Sequence, residues 1–78
     1  MYIENPQTTF TRNLNKIIEL YMERTGTSMR GIYRKVKAGG MNTMTFDYYL
    51  RGERWPRPEQ LQVLCETFGV PVEMFFRR

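Results

Sequence analysis

Twelve Lys and Arg against eight Asp and Glu in 78 residues, with no histidine and one cysteine, narrow the possibilities before any pattern is sought. A chain this short makes one domain that buries only about 60–65% of its unfolded surface, which leaves no room for a second ligand-sensing domain. The absence of histidine, of paired cysteines and of a glycine-rich phosphate loop leaves no catalytic or metal-holding constellation, so neither an enzyme nor a cofactor, metal or small-molecule ligand is expected.

Residues 1–8, MYIENPQT, are expected to form a loose arm ahead of a single domain over residues 9–78. Residues 1–3 also suit an extended strand that could pair with a symmetry mate. The arm has no basic start followed by an apolar run, and no stretch approaches bilayer length, so a cytoplasmic protein without membrane contact is expected.

Phe10, Leu14, Ile17, Ile18 and Tyr21 recur at three- and four-residue steps, predicting a first helix from Thr8 or Thr9 until Thr25-Gly26-Thr27 breaks the pattern. Ser28 is a good N-cap for a second helix over residues 29 to about 37, with Ile32, Val36 and Tyr33 inward and the basic residues outward. Ala38-Gly39-Gly40 reads as a turn. Asn42 can cap a third helix over residues 43–51, which buries Phe46, Tyr49 and Leu50 and leaves Thr43, Met44, Asp47 and Tyr48 on the other face. Gly52 follows where a helix C-terminus needs a left-handed residue.

Pro56 and Pro58 suit a connector and a first turn, so the fourth helix begins near Pro58. Its stripe is Leu61, Leu64, Cys65 and Phe68, with Cys65 as a buried small hydrophobe rather than a reactive thiol. Gly69 ends it. Pro71 opens a fifth short helix that returns Val72, Phe75 and Phe76 to the same core.

Charge is unevenly spread along this pattern. Residues 30–57 hold Arg30, Arg34, Lys35, Lys37, Arg51, Arg54 and Arg57 against Asp47 and Glu53, a net +5. The remainder holds five cations and six carboxylates, a net −1. A segregated basic face points to a polyanionic partner, and Asp47, lying among those cations without an acidic neighbour, has no general acid/base partner.

The serine-capped second helix, the glycine-bearing turn, the helix from Asn42 to Gly52, the Gly52-to-Pro56 spacing and the ending LQVLCETFGVPVEMFF follow one another in an order that resembles the Cro and phage-repressor (XRE-type) helix-turn-helix family. The resemblance runs from Leu14 to Phe76, roughly four fifths of the chain. It departs in three places. The turn Lys37-Ala38-Gly39-Gly40 is longer than the family's, Met29 stands where the family often has a phosphate-binding glutamine, and Met22 and Leu50 stand where many members pair an arginine with a glutamate.

The resemblance implies an all-α, compact five-helix, lambda-repressor-like DNA-binding domain whose second and third helices form the helix-turn-helix. It implies a sequence-specific, double-stranded-DNA-binding transcriptional regulator, a Cro-like repressor that binds a palindromic operator as a weak homodimer. The matching base-contact positions are Thr43, Met44, Asp47 and Tyr48, none of them an arginine, asparagine or glutamine, so shape readout is expected to supplement thin direct readout.

Phosphate contacts are expected from Ser28, Arg30, Arg34, Lys37, Asn42, Thr45, Arg51, Arg54 and Arg57, aided by the Gly39 and Gly40 amides, with Trp55 as an apolar prop. The dimer interface is expected at Val70, Val72, Met74, Phe75 and Phe76. The alternative is an antitoxin-like module on the same fold that masks a toxin partner and autoregulates its promoter.

Overall fold

The computed structural model describes residues 6–78, with side chains from Thr8 onward. The described residues are all-helical: α1 spans Pro6–Thr25, α2 Met29–Ala38, α3 Thr43–Arg51 and α4 Pro58–Phe68, and a 3₁₀ turn covers Val72–Phe75. The five helices expected are thus four α-helices and one 3₁₀ turn. The last element stays that short because Met74 and Phe76 donate only three residues back, to the Pro71 and Glu73 carbonyls, which is the tighter ladder that rarely propagates.

α1 begins at Pro6, earlier than Thr8 or Thr9, because a proline lacks only an N–H that the first turn could not use and already has the helical φ. Residues 6–8 of the expected arm are therefore helical. Residues 1–5, and with them the alternative strand at residues 1–3, lie outside the described residues. α1 stops at Thr25, where Gly26 takes φ 74° and its N–H bonds the Met22 carbonyl at 2.8 Å.

Both expected N-caps form. Ser28 Oγ accepts from the Gly31 N–H at 3.3 Å and Asn42 Oδ1 from the Met44 N–H at 2.7 Å, each answering one of the orphan donors of a helix start. Gly52 closes α3 at φ 75°, and a Cβ there would lie 3.0 Å from Thr11 Oγ1, so this position needs glycine both for its backbone and for the approach of α1.

The core is one cluster. α1 contributes Phe10, Leu14, Ile17 and Ile18, α2 Ile32 and Val36, α3 Phe46 and Tyr49, and α4 Leu64 and Phe68. Each large side chain fully buried this way contributes about 1.5–3 kcal/mol of transfer free energy. Phe10 is the hub that joins α1, α3 and the C-terminal turn, edge-on to Tyr49 at 6.0 Å and tilted against Phe75 at 5.7 Å and Phe76 at 5.8 Å.

Several residues depart from the expected pattern for tertiary reasons. Leu50, Leu61, Cys65 and Tyr21 are half-buried at the cluster's border rather than inside it. Val72 is 42% exposed, because the 3₁₀ turn has room to direct only Phe75 fully inward. Met41, in the turn between α2 and α3, is buried; its N–H bonds the Val36 carbonyl at 3.0 Å, so the longer turn is anchored by a core side chain.

Two asparagines on α1 tie the fold together. Asn13 Nδ2 donates to the Phe75 carbonyl at 3.0 Å and to the Arg77 carbonyl at 2.7 Å, which fixes the C-terminal segment along α1. Asn15 Nδ2 donates to the Leu50 carbonyl at 3.2 Å. The polar link from α1 to the end of α3 is thus made by Asn15, two turns before Met22.

Candidate functional site

α3 has two faces with different duties. At ~100° per residue, Phe46, Tyr49 and Leu50 point to one side, and all three are buried or half-buried. Met44, Asp47, Tyr48 and Arg51 share the opposite arc, and Thr43 falls at its border, beside Leu50. Met44 is 62% exposed and Arg51 is exposed, while Thr43, Asp47 and Tyr48 are half-buried. Of the four expected base-contact residues, Met44, Asp47 and Tyr48 are therefore brought onto one surface, which Arg51, expected only as a phosphate contact, shares, while Thr43 lies at its edge.

Asp47 is less free than its position in the sequence suggested. Tyr33 on α2 donates its hydroxyl to Asp47 Oδ1, and the Tyr33 ring stands edge-on to Phe46 at 5.3 Å. The hydrogen bond to Asp47, with burial and the Asp47 charge behind it, pushes the Tyr33 hydroxyl up to about 12. One carboxylate oxygen of the outward face is thereby pinned to α2.

Tyr48 is likewise a support. The Arg54 guanidinium stacks on its ring at 4.1 Å and Arg51 lies at 5.4 Å, so one aromatic ring organises two cations. Arg51 Nε also pairs with Glu53 at 3.3 Å, but both side chains are more than half exposed, and such a surface pair contributes little. The Tyr48-to-Arg51 spacing of three residues is a sequence signal for this contact.

Around this face the expected cations divide by element. Arg30, Arg34 and Lys37 are exposed on α2, and Arg54 and Arg57 are exposed in the segment between α3 and α4. Thr45, Tyr49, Arg54, Trp55, Arg57 and Gln60 line an open hollow of about 520 Å³ whose buried Gln60 Oε1 has no hydrogen-bond partner. Burial pushes the Tyr49 hydroxyl up, opposed by the Arg57 backbone and by the Arg57 and Arg54 charges. Trp55, 52% exposed, rests on Phe76 at 6.2 Å.

Two expected contributions fail. The Gly39 and Gly40 amides already donate to the Lys35 and Lys37 carbonyls at 3.0 Å each, because these glycines complete the C-terminal turn of α2; they have no N–H left for an anion. Phe75, expected at a dimer interface, is 0% exposed beneath Phe10, so only Val70, Val72, Met74 and Phe76 of that group retain any exposed surface. Ser28 and Asn42 are exposed, but their side-chain oxygens serve as caps.

Compared with protein-family models, curated proteins and solved structures, the chain matches none. Its function is therefore read from these residues. Among the described residues no helix is long and apolar enough to cross a membrane, and no group of three or more His, Cys, Asp or Glu side chains is placed to hold a metal ion. Cys65 is half-buried, and burial with Glu73 and Glu66 nearby pushes its thiol up.

Proposed function

We propose that the chain is a double-stranded-DNA-binding transcriptional regulator in which α2 and α3 act as a helix-turn-helix and the outward face of α3 enters the major groove. The observation that carries this reading is that α3 keeps an open outward face, on which Tyr48 gathers Arg51 and Arg54, while further cations are exposed on α2 and after α3. Such cations raise the local concentration of a polyanion, and salt screens their attraction beyond about a Debye length, ~8–10 Å.

Phosphates fit two places. The start of α2 offers backbone N–H groups beside Arg30 and Arg34, where the helix dipole favours an anion. The hollow lined by Thr45, Arg54, Arg57 and Gln60 is the second. Base recognition falls to Thr43 and Met44 against thymine methyl groups and to Arg51, whose guanidinium suits guanine. With Asp47 held by Tyr33, direct readout stays thin, and the preferred site is selected partly by groove shape.

Two copies on a palindrome would place their α3 helices about 34 Å apart. The pairing is weak in free solution and uses Val72 and the exposed part of Phe76. Selection of bound sequences from random duplex DNA, followed by footprinting, tests the reading. Expected is an enriched site with two protected half-sites one helical turn apart; no enrichment over input by the folded protein refutes it.

A further inference from the structure

The side of α1 turned away from α3 carries a second surface. At ~100° per residue, Thr11, which approaches Gly52, lies half a turn round the helix from Leu20. On Leu20's side, α1 and the C-terminal segment enclose two adjoining hollows of about 480 and 410 Å³ that share Ile17, Leu20 and Met74. Together they form one trough.

Its floor is apolar, formed by Ile17, Tyr21, Phe68, Val70 and Met74, and Leu20 stands at its centre 50% exposed. One end is lined by Arg12, Lys16, Arg77 and Arg78, and none of the side chains lining that end is acidic. Asn13 holds the trough's shape by bonding the Phe75 and Arg77 carbonyls, so the far wall is fixed to α1 before anything binds.

We propose that this trough docks an amphipathic helix of a different protein, one that carries large apolar residues on its inner face and Asp or Glu at the end nearest Arg77. The apolar floor supplies the anchor sites of helix-in-groove recognition, and the four cations supply the charge complementarity that fixes direction. From Arg12 to Arg24 the trough follows α1 for ~18 Å, the length of about three helical turns.

A second copy of this chain fits less well. Two troughs face to face would oppose Arg12, Lys16, Arg24, Arg77 and Arg78 of each copy with only Glu19 and Glu23 of each, five cations to two carboxylates per copy. The inference stands apart from the DNA reading, because the α3 face and the trough lie on opposite sides of α1.

The test is selection from a displayed library of random peptides of about 16 residues, ~24 Å long as helices, against the intact protein. Expected are sequences with two or three Leu, Ile, Phe or Met at three- and four-residue spacing and an acidic cluster at one end. Their amide NMR shifts should map to Ile17, Leu20, Tyr21, Val70 and Met74. Affinity should fall about tenfold or more in Leu20→Asp and in Lys16→Glu/Arg77→Glu, the loss of a central anchor or a charged end. It should hold in Arg54→Ala/Arg57→Ala.

Leu20, Lys16 and Arg77 are exposed, so these variants keep their helical circular dichroism. The proposal is overturned by an empty selection, by peptides without acidic residues, by shifts that map to α3 or Trp55, or by full affinity in Leu20→Asp. It is equally overturned if the parent sediments as a dimer that Leu20→Asp converts to monomer, since the occupant is then a second copy.

Discussion

Replacing Phe10 by alanine removes the ring against which Tyr49, Phe75 and Phe76 all pack, at a site with 0% exposure. A buried phenylalanine truncated this way costs about 3–5 kcal/mol, and the edge-on contact with Tyr49 puts this site toward the upper end. A domain of 78 residues has about 4–12 kcal/mol to lose. The variant should therefore lose at least a third of its stability, and all of it if the parent lies at the low end.

Urea unfolding followed by Trp55 fluorescence is the assay, since this is the one tryptophan and it rests on Phe76. At about 1 kcal/mol per M for a chain this small, the midpoint should fall by roughly 3–5 M or the variant should be unfolded without denaturant. Phe10→Leu, which refills part of the space, should lose about 1.5 kcal/mol or less. A Phe10→Ala midpoint within about 1 M of the parent would show that Phe10 is not the hub, and the account of how α1, α3 and the C-terminal turn are joined would fail.

The Tyr33 hydroxyl should ionise near 12 in a phenolate absorbance titration and should return toward 10 in Asp47→Ala. Because its folded value lies above its unfolded one, its stabilising contribution is complete below pH 10 and is lost as pH rises toward about 12; an unchanged titration in Asp47→Ala would deny the bond to Asp47. Gly52→Ala should destabilise more than Gly26→Ala in the same urea assay. Both have left-handed φ, at about 1–2 kcal/mol for a side chain, but only at Gly52 does the new Cβ press on Thr11 Oγ1; equal losses would mean that α1 yields there freely. Cys65 should alkylate more slowly at neutral pH in the folded protein than in urea, because burial, Glu73 and Glu66 hold its thiol protonated; equal rates would place it in open solvent.

Much of the architecture was legible because it is written in local chemistry. Ser28 and Asn42 cap helices through oxygens that reach only two or three residues along the chain, Gly52 and Gly69 adopt the left-handed conformation at helix ends, and the stripe through Phe10, Leu14, Ile17 and Ile18 repeats at the helical period. What escaped depends on partners distant in sequence. Asn13 is an ordinary polar residue until the chain returns 62 residues later with the Phe75 carbonyl. Met41 reads as part of a turn until it fills the core, and Phe75, expected both in the core and at a dimer interface, belongs wholly to the core once Phe10 covers it.

The candidate site divides the same way. Its cations were legible as a sum along residues 30–57, since charge adds without regard to fold. Their arrangement was not, because Tyr48 stacks Arg54 through a loop and Tyr33 reaches Asp47 from another helix. Gly39 and Gly40 were misread for a related reason: exposure was inferred, but the carbonyls of Lys35 and Lys37 had already taken their N–H groups.

The proposed function rests on cations around α3 holding DNA phosphates, and the salt dependence of affinity for a selected duplex measures this most directly. If a dimer neutralises six phosphates, log affinity should fall against log salt with a slope of about −5. The slope should flatten, with weaker binding at every salt concentration, when Arg51, Arg54 and Arg57 are replaced by alanine in a correctly folded protein. A parent slope near zero, or a triple variant that binds the duplex as tightly as the parent at physiological salt, would contradict it.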